Sequence, residues 1–183
     1  MTNISISEEI ATACPDLHVL VLSCDVCNSE PDERLWQEIA DEEKAVRETV
    51  KLEQINKWLP IQATRQAYKR LGKDPNRYRP SSEALRRRIL RELPLYKVDT
   101  LVDLINLVSI RSGYSIGGFD ADKIAGGSLV LGVGREGEIY HGIGRGELNI
   151  AGLPVYRDAV GGVGTPTSDE ERTKIGLDTT HLL

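Results

Sequence analysis

The sequence predicts an α+β fold: a helical N-terminal half packed on a glycine-rich mixed or antiparallel β-sheet or sandwich. Three observations predict it. Helical patterns fill the chain from Asp32 to Gly113. Beyond Gly113 the pattern becomes short and extended, divided by most of the 17 glycines in the chain. Apart from one early strand, helices come first and strands later, the order of α+β domains rather than of alternating β-α units.

Each element has its own signal. Ser7 caps a short helix over 7–13, which Pro15 stops. The run 17–26 is short, apolar and β-branched, and reads as a buried strand. Residues 32–59 read as one long helix, striped by Leu35, Ile39, Val46 and Val50 and broken at Pro60. A short helix over 64–71 closes at Gly72. The stretch 73–80 is a proline-bounded loop. Ser81 or Ser82 caps a helix that runs to Leu93, where Pro94 ends it. Asp99 or Thr100 caps the next helix, which stops at Gly113, with Leu101, Leu104, Ile105 and Val108 as its core stripe. Short strands are expected over 128–133, 138–140, 148–150, 155–157 and 173–177. The apolar end at Leu182 and Leu183 suggests a packed final strand.

Composition bounds the function. A chain of 183 residues, 40% hydrophobic and 28% charged, suits one soluble domain spanning 1–183 with its own core. No apolar run reaches membrane-spanning length, and the start lacks the order of a signal peptide, so the expected location is cytoplasmic. Three cysteines make a complete disulfide framework unlikely to close. Cys24 and Cys27 form a CxxC, and further zinc ligands would have to come from Cys14, His18, His141 and His181. The pair reads as the end of a strand. Glycine pairs at 132–134 and 142–146 lack the helix and lysine of a phosphate loop and suit hairpin turns. Spacing gives no support to a triad of Ser168, His141 and Asp158.

Net charge is −5, but it is unevenly spread. Residues 65–91 hold ten Lys or Arg against Asp74 and Glu83, a local +8 that leaves −13 elsewhere. Such an island is either a phosphate-contacting surface, with Arg65, Lys69, Arg70, Arg86 and Arg87 as its candidates, or a helix face paired with acids.

The stretch 93–123 runs from a connector through an apolar helix into a glycine-broken turn. It contains Val98-Asp99, then Val102-Asp103-Leu104-Ile105-Asn106, and then Phe119-Asp120. With the segment 146–173 it resembles the B3/B4 domain of the bacterial phenylalanyl-tRNA synthetase β subunit, a domain that hydrolyses wrongly charged tRNA. The resemblance covers roughly Gln62 to Thr180, so residues 61–183 carry it and 1–60 add a strand and a long helix. Asn106 falls on the family's asparagine. The family's histidine, eleven positions on, is replaced by Gly117. Glu147 takes the place of the recognition glutamate, and Gly161, Gly162 and Gly164 lie at the small-residue loop of the amino-acid pocket. The run Thr165-Pro166-Thr167-Ser168-Asp169 looks like that of stand-alone B3/B4 proteins, and Thr167-Ser168-Asp169-Glu170-Glu171 also reads as a helix start.

The resemblance implies a free-standing aminoacyl-tRNA editing hydrolase. Its partners would be the aminoacylated 3′ end of tRNA and the amino-acid moiety, not DNA or a membrane, and it would need neither metal nor cofactor. In that reading, Asn106, Thr165 and Thr167 act on the ester, water or proton. Glu147, Gly117, Asp158, Gly161, Gly162, Gly164, Ser168 and Asp169 bind substrate, and backbone N–H groups of 161–165 receive the oxyanion. The alternatives are a binding module for tRNA or an amino acid, which the missing histidine favours, and a small-molecule enzyme on the same fold.

Overall fold

The computed structural model describes residues 2–183. In chain order the elements are β1 (Asn3–Ile6), α1 (Glu8–Ala13), β2 (Cys24–Asp25), α2 (Glu33–Thr49), α3 (Leu59–Arg70), α4 (Ser81–Leu90), α5 (Thr100–Ser112), β3 (Ser128–Val133), β4 (His141–Gly142), β5 (Gly146–Glu147), β6 (Pro154–Arg157), β7 (Gly162–Gly164) and β8 (His181–Leu182). This is the expected α+β class. Among the described residues no helix is long and apolar enough to cross a membrane.

The main sheet has the order β1-β3-β6-β7. β1 runs parallel to β3, while β3–β6 and β6–β7 are antiparallel. The sheet is therefore mixed. A strip at Asp169 and Glu170 carries its hydrogen bonding onward, since Asp169 bridges to Gly164 and Glu170 bridges to Gly142. The strip thereby joins β7 to the β4–β5 hairpin.

The early strand is not where the apolar pattern puts it. Residues 17–23 are not a strand, and Leu20 is 86% exposed. Both edges of β3 are occupied, by β1 and β6, so the run has no slot beside it. Only Cys24 and Asp25 pair, with Leu182 and His181. The alternating segment Asn3–Ile6, Asn-Ile-Ser-Ile, takes the sheet position instead. The final strand suggested by the apolar end is this β8.

The helices differ from expectation mainly at their joints. The expected helix 32–59 ends at Thr49, and a 3₁₀ turn at Leu52–Lys57 follows. Pro60 opens α3 rather than breaking its predecessor. Proline is tolerated there because first-turn N–H groups have no intrahelical acceptor. α4 stops at Leu90, three residues short of expectation.

α5 is capped by Asp99, whose carboxylate accepts the Val102 N–H at 2.9 Å, and ends at Gly113 with φ of 80°. Leu104 and Val108 of its expected core stripe are exposed. The buried face is Asp103, Leu107, Ser109 and Ile110. Asp103 sets that rotation: its carboxylate accepts the Trp36 indole N–H at 2.6 Å and the Val98 N–H at 3.1 Å, tying α5 to α2.

The expected strands 138–140, 148–150 and 173–177 are irregular chain, although Tyr140 and Ile150 are fully buried. The chain crosses itself closely here. A Cβ on Gly134 would lie 1.9 Å from the Ile150 carbonyl oxygen. Glycine is the residue that permits such contact. The core comprises a cluster of Tyr68, Tyr140, Ile150, Leu153 and Val155, a second of Phe119, Ile124, Leu129 and Val163, and a helical one of Val46, Ile89 and Ile110.

Candidate functional site

The segment 165–170 is a hydrogen-bonded turn, and the helix start expected over 167–171 is reduced to a 3₁₀ turn at Glu171–Thr173 capped by Glu170. The Thr165 hydroxyl accepts the N–H groups of Thr167 and Ser168 and donates to the Ser168 carbonyl. The Ser168 carbonyl also accepts from the Tyr140 hydroxyl at 2.7 Å. The Thr167 hydroxyl pairs with that of Tyr68 at 2.9 Å. Ser81 at the start of α4 donates its N–H to the Pro166 carbonyl at 2.7 Å. Thr165 and Thr167 are buried and hold the turn, so their hydroxyls are not available to shuttle protons. The Ser168 hydroxyl turns to its neighbour's carbonyl.

The Asp169 carboxylate sits against Gly117, Gly118, Gly164 and the ring of Phe119. A Cβ on Gly164 would come within 2.9 Å of Asp169 Oδ1, and one on Gly117 within 3.3 Å. The same two Cβ atoms would press on the Phe119 ring at 2.5 and 2.8 Å. Oδ2 accepts the Gly118 N–H at 3.2 Å. Burial pushes the Asp169 carboxyl up to about 7, against the pull of that N–H. Gly117, Gly164 and Asp169 of the expected site are thus brought together. Gly118 and Phe119 complete this packed environment; Gly118 lies between two residues that the sequence does single out.

Asp158 has a different role from substrate binding. Burial would raise its pKa, yet the Arg172 guanidinium and the N–H groups of Ala125, Val160 and Gly161 hold it at about 2. The Arg172 fork is bidentate, at 2.8 and 3.0 Å. The carboxylate is fully occupied in pinning the 158–161 loop. The oxyanion donors expected from 161–165 are likewise committed: Gly161 N–H goes to Asp158 and Thr165 N–H to the Ser168 carbonyl. Gly162 and Gly164 lie in the β6–β7 ladder. Gly162 admits Tyr140, whose ring would be 2.9 Å from a Cβ there.

Glu147 and Asn106 are less closely tied in. Glu147 is exposed on β5, opposite His141. Its hairpin lines an open cleft of about 560 Å³ with Glu170, Glu171 and Arg172. Asn106 is half-buried on α5, one residue from Ile105, whose side chain reaches Gly118.

Half of the basic island is turned inward: Arg65, Lys73 and Arg86 are buried and Arg87 and Arg88 half-buried. Glu83, with no exposed surface, accepts from Arg65 at 2.8 Å and Arg87 at 2.7 Å. Arg86 donates twice to the Ile110 carbonyl and stacks 3.7 Å over Trp58. Arg65, Arg86 and Arg87 are therefore structural cations, and the pairing face comes from Glu83 rather than from the preceding acidic helix. Lys69 and Arg70 are exposed, but Arg70 lines a cleft beside Glu8 and Glu9. The three cysteines are free, with Cys24 and Cys27 exposed. Among the described residues no three His, Cys, Asp or Glu side chains converge on a metal position.

Residues 63–183 match the model of the B3/4 domain family. The chain belongs to the B3/4 domain family. It is a module related to the tRNA synthetases, through the family's association with phenylalanyl-tRNA synthetase. A comparison with curated proteins finds no match.

Proposed function

We propose that the protein is a free-standing aminoacyl-tRNA editing hydrolase that cleaves the ester between a wrongly attached amino acid and the terminal ribose. The observation that carries this reading is the match of residues 63–183 to a family associated with a tRNA synthetase. Aminoacyl esters are already activated, so a positioned water and a proton acceptor suffice. Residues 1–183 act as one unit in this proposal, because β1 completes the sheet of the matched region and α2 is bound to α5 through Asp103.

Within this reading Asn106 orients the ester or the water, and Glu147 holds the amino-acid moiety from the hairpin. Phosphate contacts fall to the exposed cations Lys69, Arg77, Arg79 and Arg91 rather than to the inward-facing arginines.

One observation favours a second reading, a binding module without chemistry. The backbone donors of Gly161 and Thr165 are already satisfied, which leaves that loop without a preformed oxyanion site. A deacylation screen over correctly and wrongly charged tRNAs separates the two. Selective loss of one mischarged species supports the hydrolase. Salt-sensitive tRNA binding with every ester intact supports the module. Normal turnover in an Asn106→Ala, Glu147→Ala double variant would remove both residues from the mechanism.

A further inference from the structure

We propose that the apolar run 17–23 is an interaction surface for a second copy of this chain, in which the same run pairs antiparallel with it across a two-fold axis. The inference is independent of the hydrolase reading.

The run, Leu-His-Val-Leu-Val-Leu-Ser, is strand-like in sequence and lies outside every sheet of the fold. Among the described residues, no backbone N–H or C=O from His18 to Ser23 bonds to another backbone group. Leu17, Leu20, Val21 and Leu22 are all exposed, Leu20 at 86% and Leu22 at 67%. Successive side chains of extended backbone point to opposite faces, so exposure at 20, 21 and 22 in a row leaves both faces uncovered. A row of unpaired backbone groups that carries exposed apolar side chains is a template for another strand.

Chain continuity says which sheet that strand extends. The run leads directly into β2, whose Cys24 and Asp25 pair with Leu182 and His181 of β8. Val26 adds its N–H to the Thr180 carbonyl at 2.8 Å. β2 and β8 form a two-stranded sheet, so the edge of β2 away from β8 is free. Two strands alone are marginal in water, and three or more with an apolar face are stable. A second copy offers what this edge lacks: another free, uncharged stretch of equal length, anchored by its own β2–β8 pair. The two sheets of two strands become one of four, with each β8 on the outside.

The residues fit such an axis. Hydrogen-bonded and non-bonded pairs alternate along an antiparallel ladder, so a two-fold between identical strands must set one residue against its own copy. Val21 lies midway between the two most exposed leucines of the run. Centred there, the axis sets Leu20 against Leu22 of the second copy and Val19 against its Ser23. Leu20 and Leu22 of both copies then cluster on one face, as directly opposed and diagonal neighbours do. The charge pattern agrees. Residues 17–24 hold no Asp, Glu, Lys or Arg. The bounding acids, Asp16 and Asp25, come opposite Val26 and Leu17 of the second copy, so like charges do not face one another across the pair.

The test is the mass of the full chain in solution, by light scattering or sedimentation over a concentration series. Wild type should move reversibly from the mass of one chain to that of two as concentration rises. Leu20→Lys places a charge on the pairing edge and should hold the folded protein at the mass of one chain. Cross-linking gives the register. With Cys14→Ser, Cys24→Ser and Cys27→Ser as background, Val21→Cys should form a disulfide-linked dimer under mild oxidation, because directly opposed Cβ atoms come within reach. Leu17→Cys in that background should not, because the axis holds its two copies at opposite ends of the pair. Wild type that keeps the mass of one chain at every concentration overturns the proposal. So does a dimer that Leu20→Lys leaves intact, or cross-linking at 17 in preference to 21. Should Leu20→Lys not fold, the two cross-linking variants decide alone. The hydrolase reading stands or falls separately, on the deacylation screen.

Discussion

At the residue scale, unequal hydrogen bonding predicts unequal consequences. Thr173 has no exposed surface and its hydroxyl lacks a partner. Valine has the same shape without the unsatisfied group, so Thr173→Val should stabilise the fold by about 1 kcal/mol in urea denaturation. Asp158 is the opposite case. Asp158→Ala strands the Arg172 guanidinium and three backbone donors, and should destabilise by roughly 3 kcal/mol, as breaking a buried pair does. The same denaturation series checks both. The Asp158 carboxyl sits near the strand end that the sequence picks out, yet its role became legible only through Arg172, fourteen residues away.

At the element scale, the helices are joined through charged side chains. Glu83 gathers Arg65 from α3 and Arg87 from its own helix. Glu83→Ala should lower stability by about 3–5 kcal/mol, because it leaves a buried guanidinium uncompensated. The two substitutions Arg86→Ala and Lys69→Ala then separate structure from RNA contact. Arg86→Ala should lower the melting temperature with little change in the salt slope of tRNA binding. Lys69→Ala should leave melting unchanged and reduce that slope by about 1. The joint between α5 and the 3₁₀ turn is equally exacting. At Gly113 a Cβ would meet the Trp58 ring at 2.5 Å, in a backbone conformation that already favours glycine. A composition-level reading sees ten cations in 65–91, but cannot see which of them point inward, since burial is set by the facing helix.

At the scale of the whole molecule, stability should depend on pH in two opposed ways. Asp169 titrates near 7 in the fold and near 3.8 in an unperturbed chain. Between those values the folded state binds the extra proton, so stability falls as pH rises from about 4 to about 7. The effect is at most about 4 kcal/mol, at about 1.4 kcal/mol per pH interval. Asp158 acts the other way: its contribution is present above about 4 and is lost as pH falls toward 2. Melting curves of D169N against wild type should therefore diverge from pH 5 to pH 8, with the variant relatively more stable at the higher pH. A constant difference would contradict the buried ionisation.

The α+β class, a cap of α5 at Asp99 or Thr100, its stop at Gly113 and the strand at Ser128–Val133 follow from the sequence by itself; the structure chose Asp99. These are local: a capping carboxylate, a left-handed glycine and an apolar run act within a few residues. The B3/4 resemblance was also legible, because it rests on ordered motifs. Tertiary structure decided the rest. It placed the alternating Asn3–Ile6 beside β3, whose other edge is taken by β6, and left the apolar run 17–23 outside the sheet. It turned Arg65, Arg86 and Arg87 inward, locked the hydroxyls of Thr165 and Thr167, and set Gly117, Gly118 and Gly164 around one carboxylate. The environment of that carboxylate is built from segments some fifty residues apart, and low-dielectric surroundings exist only once they meet.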